Sequence, residues 1–172
     1  MESKAQKLVN MDMDTLLRML NKAYADEWLA FLQYWTAAHT VKGMLRREVV
    51  KELMEHAMED FEHARKLAER IEQLGGNVLL TPEELIREAN CAYVSPSKAC
   101  SGKIVDQTIA SERCAIAVYR RMLEETHGRD MVTYHLALEL LKEELDHEAE
   151  FLQIREDLDS IKTAMQDQCC PK

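Results

Sequence analysis

The sequence predicts an all-α fold: a four-helix bundle made of two helix pairs, joined by a long crossover that carries a short helix of its own. Three observations lead there. Gly and Pro number only five and three among 172 residues, while Ala, Leu, Glu, Met, Arg and Lys abound, a composition that favours helix nearly throughout. Four long stretches repeat apolar residues at helical intervals. Between the second and third of them, residues 75–103 are longer than a hairpin between helices needs, so the bundle has one long connection and is not a simple up-down array.

Taken in order, residues 1–13 read as an N-terminal arm. Asp14 is placed to cap the first long helix, which carries Leu16, Leu17, Leu20, Tyr24, Phe31, Tyr34, Trp35 and Ala38 and stops at Gly43. The second runs from about Met44 to Leu74 and ends at Gly75-Gly76. Thr81-Pro82-Glu83-Glu84 is a capping box with Pro at the first helical position, which opens the short helix over 82–90. Ser95-Pro96-Ser97 reads as irregular. The third long helix begins near Ile104, carries Ile109, Glu112, Ala115, Ile116, Tyr119 and Met122, and stops at Gly128. Asp130 opens the fourth, with Tyr134, Leu138, Leu141, Glu144, His147, Phe151 and Leu158 on its stripe. Residues 166–172 are a polar tail, and the whole chain, 1–172, is one domain.

Charge and cysteine usage exclude several functions. A formal net charge of −9 argues against general affinity for nucleic acid or an anionic membrane, and suits a protein that attracts cations. No apolar run is long enough to span a bilayer and residues 1–7 lack a signal-peptide core, so the expected location is cytoplasmic. The five cysteines, Cys91, Cys100, Cys114, Cys169 and Cys170, do not form paired Cys-x-x-Cys knuckles.

The chemistry is carried by a repeat. Glu59-Asp60-Phe61-Glu62-His63 recurs class for class as Glu143-Glu144-Leu145-Asp146-His147. Residues three apart on a helix lie about 60° apart in projection, so the acid and the imidazole of each copy share a face. Upstream of each copy a lone glutamate sits in an apolar stripe: Glu27 is 36 residues before His63, and Glu112 is 35 before His147. Seven residues after each glutamate comes a tyrosine, Tyr34 and Tyr119. Any one of these acids is most simply an ion pair on a helix surface. The duplicated set instead reads as two halves of one site: a carboxylate from each of two helices and a carboxylate-x-x-His from each of the others, the pattern of a two-metal bundle core. Asp60 and Glu144 are assigned as bridging, Glu27 and His63 to one ion, and Glu112 and His147 to the other. The mixed oxygen and nitrogen donors suit iron, with Mn or Zn as in vitro substitutes. Tyr34 and Tyr119 are placed to hydrogen-bond a ligand or carry an electron, or else are core aromatics with satisfied hydroxyls. His56, one heptad before His63, is read as a hydrogen-bonded neighbour of the set, and His135 as pointing away from it.

The run Asp26–Trp35, with Glu62-His63-Ala64, Ile71–Gly76 and Glu143–Glu148 in their places, resembles the ferritin superfamily. The match is closest to Dps-like proteins with a bacterioferritin-type di-iron centre and a thiol pair, the thioferritins, and covers roughly residues 14–158. The resemblance implies a ferritin-like bundle whose subunits form a cage, of twelve rather than 24 because no fifth helix follows residue 158. It implies a ferroxidase that oxidises Fe(II) with hydrogen peroxide or oxygen and stores ferric mineral, with two iron ions per subunit on the six residues already named. It places the redox thiol pair on Cys91 and Cys114, although spacing alone cannot bring two cysteines to disulfide distance. Two positions depart from the pattern. Asp60 stands where the family has glutamate, leaving Asp60 or Glu59 to bridge. Phe61 stands where bacterioferritins carry a haem-ligating methionine, so no haem is expected. The alternatives to an iron-storage cage are a di-metal peroxidase of the rubrerythrin or manganese-catalase kind, weakened by the missing Cys-x-x-Cys module, and a DNA-protecting Dps shell, weakened by an arm holding only Lys4 and Lys7.

Overall fold

The computed structural model describes residues 3–96 and 100–169, with side chains to residue 165; residues 1, 2, 97–99 and 170–172, and with them Ser97, Cys170 and the end of the tail, lie outside the described residues. Among the described residues there are six helices: α1 Lys4–Lys7, α2 Met13–Thr40, α3 Arg46–Gln73, α4 Pro82–Glu88, α5 Ser101–Thr126 and α6 Met131–Cys169.

The described part of the arm is tied down. Ser3 and Gln6 form a capping box around α1, the Gln6 side-chain amide donates to the Leu74 carbonyl at the end of α3, and the Asn10 amide donates to Arg129 between α5 and α6. Asp12 caps α2 through the Thr15 amide at 2.8 Å, where the sequence pointed to Asp14. Both are good capping residues, and the docked arm fixes the entry of the chain two residues earlier. Helix α2 ends at Thr40, short of Gly43, which instead takes φ 110° in the turn to α3. Gly75, at φ 76°, reverses the chain after α3, a conformation that costs a residue with a Cβ about 1–2 kcal/mol.

The capping box of α4 forms as the sequence predicts, with Thr81 accepting from Glu84 N at 3.2 Å and Glu84 accepting from Thr81 N at 3.1 Å. Helix α5 starts three residues before the expected Ile104. The cause is tertiary: the Ser101 amide and hydroxyl both donate to the Lys42 carbonyl, so the crossover ends against the α2–α3 turn. Helix α6 opens on Asp130, which accepts from the amides of Val132 and Thr133, and continues well beyond Leu158, to Cys169.

Two apolar clusters divide the core. One joins the C-terminal half of α2 (Tyr34, Ala37, Ala38) to the start of α3 (Val49, Leu53), the start of α5 (Ile104, Val105, Ile109) and the far part of α6 (Phe151, Ile154, Leu158). The other joins the start of α2 (Leu16, Leu20, Ala23) to the end of α3 (Leu67, Ile71), the end of α5 (Met122) and the start of α6 (Ala137, Leu140). Helices α3 and α5 therefore run the same way, against α2 and α6, and the crossover must travel the bundle's length of roughly 40 Å. Buried aliphatic side chains each contribute about 1.5–3 kcal/mol, so both ends are held firmly. Between them lies a belt of polar side chains.

Candidate metal centre

That belt brings the six sequence-assigned ligand residues to one level: Glu27 from α2, Asp60 and His63 from α3, Glu112 from α5, Glu144 and His147 from α6, none more than 4% exposed. Glu27, Asp60, His63 and Glu144 each present a ligand atom within 4.8 Å of the others. Glu112 and His147 form a second group, joined there by His56. His63 Nδ1 is 3.3 Å from Glu27 and 3.1 Å from Glu144, while His147 Nδ1 is 3.7 Å from Glu144 and 4.0 Å from Glu112. Glu144 thus lies between the two imidazoles.

The outer nitrogens are held by acids at the rim. His63 Nε2 donates to Glu143 at 2.6 Å, and His147 Nε2 to Glu59 at 2.7 Å. Each imidazole is oriented by the acid that opens the other copy of the repeat, with both Nδ1 atoms left facing inward. Glu59 is exposed and occupied at the rim, whereas Asp60 is buried in the centre.

The centre is incomplete by itself. Both oxygens of Asp60, Glu144 Oε1, and Nδ1 of His147 and His56 are buried without a hydrogen-bond partner. An unpaired buried polar atom costs about 1–3 kcal/mol, and five of them converge here. Oxygen and imidazole donors facing one space are the set that first-row divalent metals complete, so these residues fit a two-metal centre.

Electrostatics agree. Burial, then repulsion from Glu27 and Glu144, pushes the Asp60 carboxyl well up. Burial and the charges of Glu144 and Asp60 do the same to Glu112, and burial with Glu144 raises Glu27. His63 loses solvation to burial, yet its bonds to Glu144 and Glu27 push it up to about 12. Glu144 is likewise desolvated, but His147, His63 and Glu112 together hold it below the usual carboxylate range. Protons here stand in for positive charge.

The two tyrosines brace the carboxylates across the bundle. Tyr34 on α2 donates to Glu112 on α5, and Tyr119 on α5 donates to Glu27 on α2; both rings are at most 1% exposed. Cys91 and Cys114 form a disulfide with Cα atoms 5.9 Å apart. Cys91 lies on the crossover, clasped by Asp26, which accepts from the Cys91 amide at 2.8 Å and from the Asn90 side chain at 2.7 Å. Cys100 is a free, exposed thiol.

Sequence reasoning understated some residues. His56 is buried, stacks on His147 with ring centroids 4.0 Å apart, and donates through Nε2 to Glu150 at 2.7 Å. Its heptad relation to His63 was the available signal. The roles of Glu59 and Glu143 were signalled by the opening acid of each repeat. Asp26 gave none, because its partners are 64 and 65 residues away. His135 is exposed and away from the centre, as expected.

A cleft of about 530 Å³ between α3 and α6 opens onto His63 and His147, and its walls include Glu55, Glu59, Glu62, Glu143, Asp146 and Glu150 against one cation, Lys66. On the outer face of α2 and α3, Trp28, Phe31, Trp35 and Phe61 pack ring to ring, and Leu32, Trp35 and Met58 beside them are exposed.

A ferritin-like domain is matched over residues 17–161. The DNA protection during starvation protein of Pyrococcus furiosus is 36% identical over 146 residues, covering 83% of this chain and 78% of that one. A dodecameric thioferritin, the bacterioferritin-related protein from Bacteroides fragilis, superposes with a TM-score of 0.88 at 37% identity, over 90% of this chain and 92% of that chain. The Dps homologue of Halobacterium salinarum does so with a TM-score of 0.81 at 26% identity, over 91% and 87%.

Proposed function

The chain belongs to the ferritin-like domain family, and from that premise we propose that it is a cage-forming ferroxidase that oxidises Fe(II), with hydrogen peroxide as the favoured oxidant, and stores the ferric product inside. The observation that carries this reading is the buried belt of four carboxylates and two imidazoles, in which both Asp60 oxygens, Glu144 Oε1 and His147 Nδ1 lack partners.

Glu27 and His63 would hold one metal ion, Glu112 and His147 the other, with Asp60 and Glu144 between them. Two ions so held supply one-electron redox chemistry at neighbouring positions. The chain's own residues do the rest. Glu59 and Glu143 keep each imidazole turned inward, Tyr34 and Tyr119 keep Glu112 and Glu27 in place, and the protons on Asp60, Glu112 and His63 leave when cations arrive. The acidic cleft raises the local concentration of Fe(II) at the mouth of the centre. The Cys91–Cys114 pair acts as a reversible thiol couple during peroxide turnover.

The cage reading draws on the B. fragilis dodecamer and on the exposed aromatic face of α2 and α3, since contiguous exposed apolar surface marks an interface. The name of the P. furiosus relative raises DNA protection as a second reading. The net charge of −9 weighs against it, and a gel shift at physiological salt decides the point.

The direct test adds Fe(II) anaerobically to purified protein and then supplies peroxide or oxygen. Rapid appearance of ferric absorbance with a soluble mineral core is expected, faster with peroxide. Iron that oxidises no faster than in buffer would remove the reading.

A further inference from the structure

We propose that the Cys91–Cys114 disulfide is reduced by a small anionic thiol that docks in a cationic cavity between α2 and α5 and attacks the Cys114 sulfur. This rests on the reading of the pair as a redox couple, and adds the class of its reductant and the place where that reductant binds.

The two half-cystines line different cavities. Cys91 lines a space of about 10 Å³ shared with the metal-centre carboxylates Glu27, Asp60, Glu112 and Glu144. That holds no more than about one water, so no reductant reaches the bond from the metal side. Cys114 lines a cavity of about 530 Å³ on the opposite side of the bundle from the acidic cleft, a volume in the range of small-molecule sites.

The lining of this second cavity is chemically directed. Arg18, Lys22 and Arg121 contribute three cations, and none of them enters an ion pair among the described residues. The one acid there, Glu125, already pairs with Arg129 at 3.6 Å. In a chain of net charge −9, three unengaged cations beside a disulfide are a local reversal of the field. They would draw in an anion and favour the thiolate form, the species that attacks disulfides. Met19 and Val118 offer an apolar wall to the rest of the ligand.

The exchange balances with two thiols. The first thiolate bonds to Cys114 Sγ, the Cys91–Cys114 bond breaks, and Cys91 leaves as a thiolate that takes up the proton the attacking thiol gave to solvent. A second thiol attacks the mixed disulfide, forming the small-molecule disulfide and freeing Cys114 as a thiol; two electrons pass to the protein. The Asp26 clasp on the Cys91 amide and on Asn90 does not involve either sulfur, so it holds Cys91 in register for re-oxidation.

The test measures the opening of the bond in the assembled protein by timed alkylation and peptide mapping of Cys91 and Cys114. The probes are mercaptosuccinate (anionic), 2-mercaptoethanol (neutral) and cysteamine (cationic), each rate being divided by that thiol's rate with a small reference disulfide. Mercaptosuccinate is expected to be fastest and to saturate. The triple variant Arg18→Gln, Lys22→Gln, Arg121→Gln should slow it by about tenfold, as should about 0.5 M salt in part, with 2-mercaptoethanol changing less than about twofold. Arg18 and Arg121 are exposed and Lys22 is half-buried, and the unchanged neutral-thiol rate reports an intact fold. Equal normalised rates for the three thiols, or a variant that keeps the anionic preference, would overturn the docking site alone. A bond that neither these thiols nor dithiothreitol opens would overturn the redox couple as well.

Discussion

The hydroxyl of Tyr34 meets Glu112 at 2.9 Å across the bundle, and the pairing is mirrored by Tyr119 on Glu27. Each helix pair thereby positions a carboxylate of the other. Tyr34→Phe removes one of these braces without opening the core. We expect an unchanged helical spectrum and Fe(II) oxidation slowed by about tenfold, about 1.4 kcal/mol of lost positioning, measured by stopped-flow absorbance. Wild-type kinetics in the variant would leave Tyr34 as a packing residue.

His147 tests the centre more severely. With its Nδ1 facing inward and Nε2 held by Glu59, it is expected to ligate the ion on the Glu112 side directly. His147→Ala should abolish fast Fe(II) oxidation and leave one tight metal position per subunit, while circular dichroism stays helical. Two tight positions persisting in equilibrium dialysis would count against the assignment.

Metal binding should release protons. Burial and like charge hold Asp60 and Glu112 protonated above the ordinary carboxyl range, and carboxylate bonds raise His63 to about 12. All three must deprotonate to ligate a cation, so affinity falls as pH falls. Calorimetry with Zn(II) at pH 7, in two buffers of different ionisation enthalpy, should show more than one proton released per subunit. Release of none would contradict the electrostatics of the belt.

The paired helix ends make a separate test of stability. Arg70 donates to Asp130 at 2.8 Å, with both side chains at most 4% exposed. Asp130→Ala strands a buried guanidinium and removes the cap of α6, and is expected to cost about 3–5 kcal/mol in denaturant unfolding. A loss below about 1 kcal/mol, the scale of an exposed pair, would show that Arg70 escapes to solvent.

Light scattering on the native protein should report twelve subunits, the aromatic face of α2 and α3 being covered. A monomer, a dimer or a 24-subunit particle would refute the shell.

Most of the fold was legible because each long helix carries an uninterrupted stripe and the stops are strong, Gly75-Gly76 and the Thr81 box above all. That six residues would meet in one belt was legible because they fall into two sets of three at nearly the same spacing. What escaped depended on packing across the bundle. Whether Asp60 or Glu59 turns inward, and which imidazole each rim acid holds, is settled only once α3 lies on α6. The Asp26 clasp joins residues more than 60 apart, and no local pattern announces it. The start of α5 was misplaced because the Lys42 carbonyl, not a capping side chain, fixes Ser101.

The repeat has one unmatched member. Counting from Glu59 to Glu143, the position that corresponds to His56 is Leu140, which is fully buried in the apolar cluster at the other end. Of the two proposed metal positions, the one at Glu112 and His147 has a third imidazole beside it, one that burial and the neighbouring His147 depress to about 4 and so keep neutral. The two halves are thus a senior and a junior partner: occupancy should proceed in order, with stepwise Co(II) spectra in place of a single simultaneous filling.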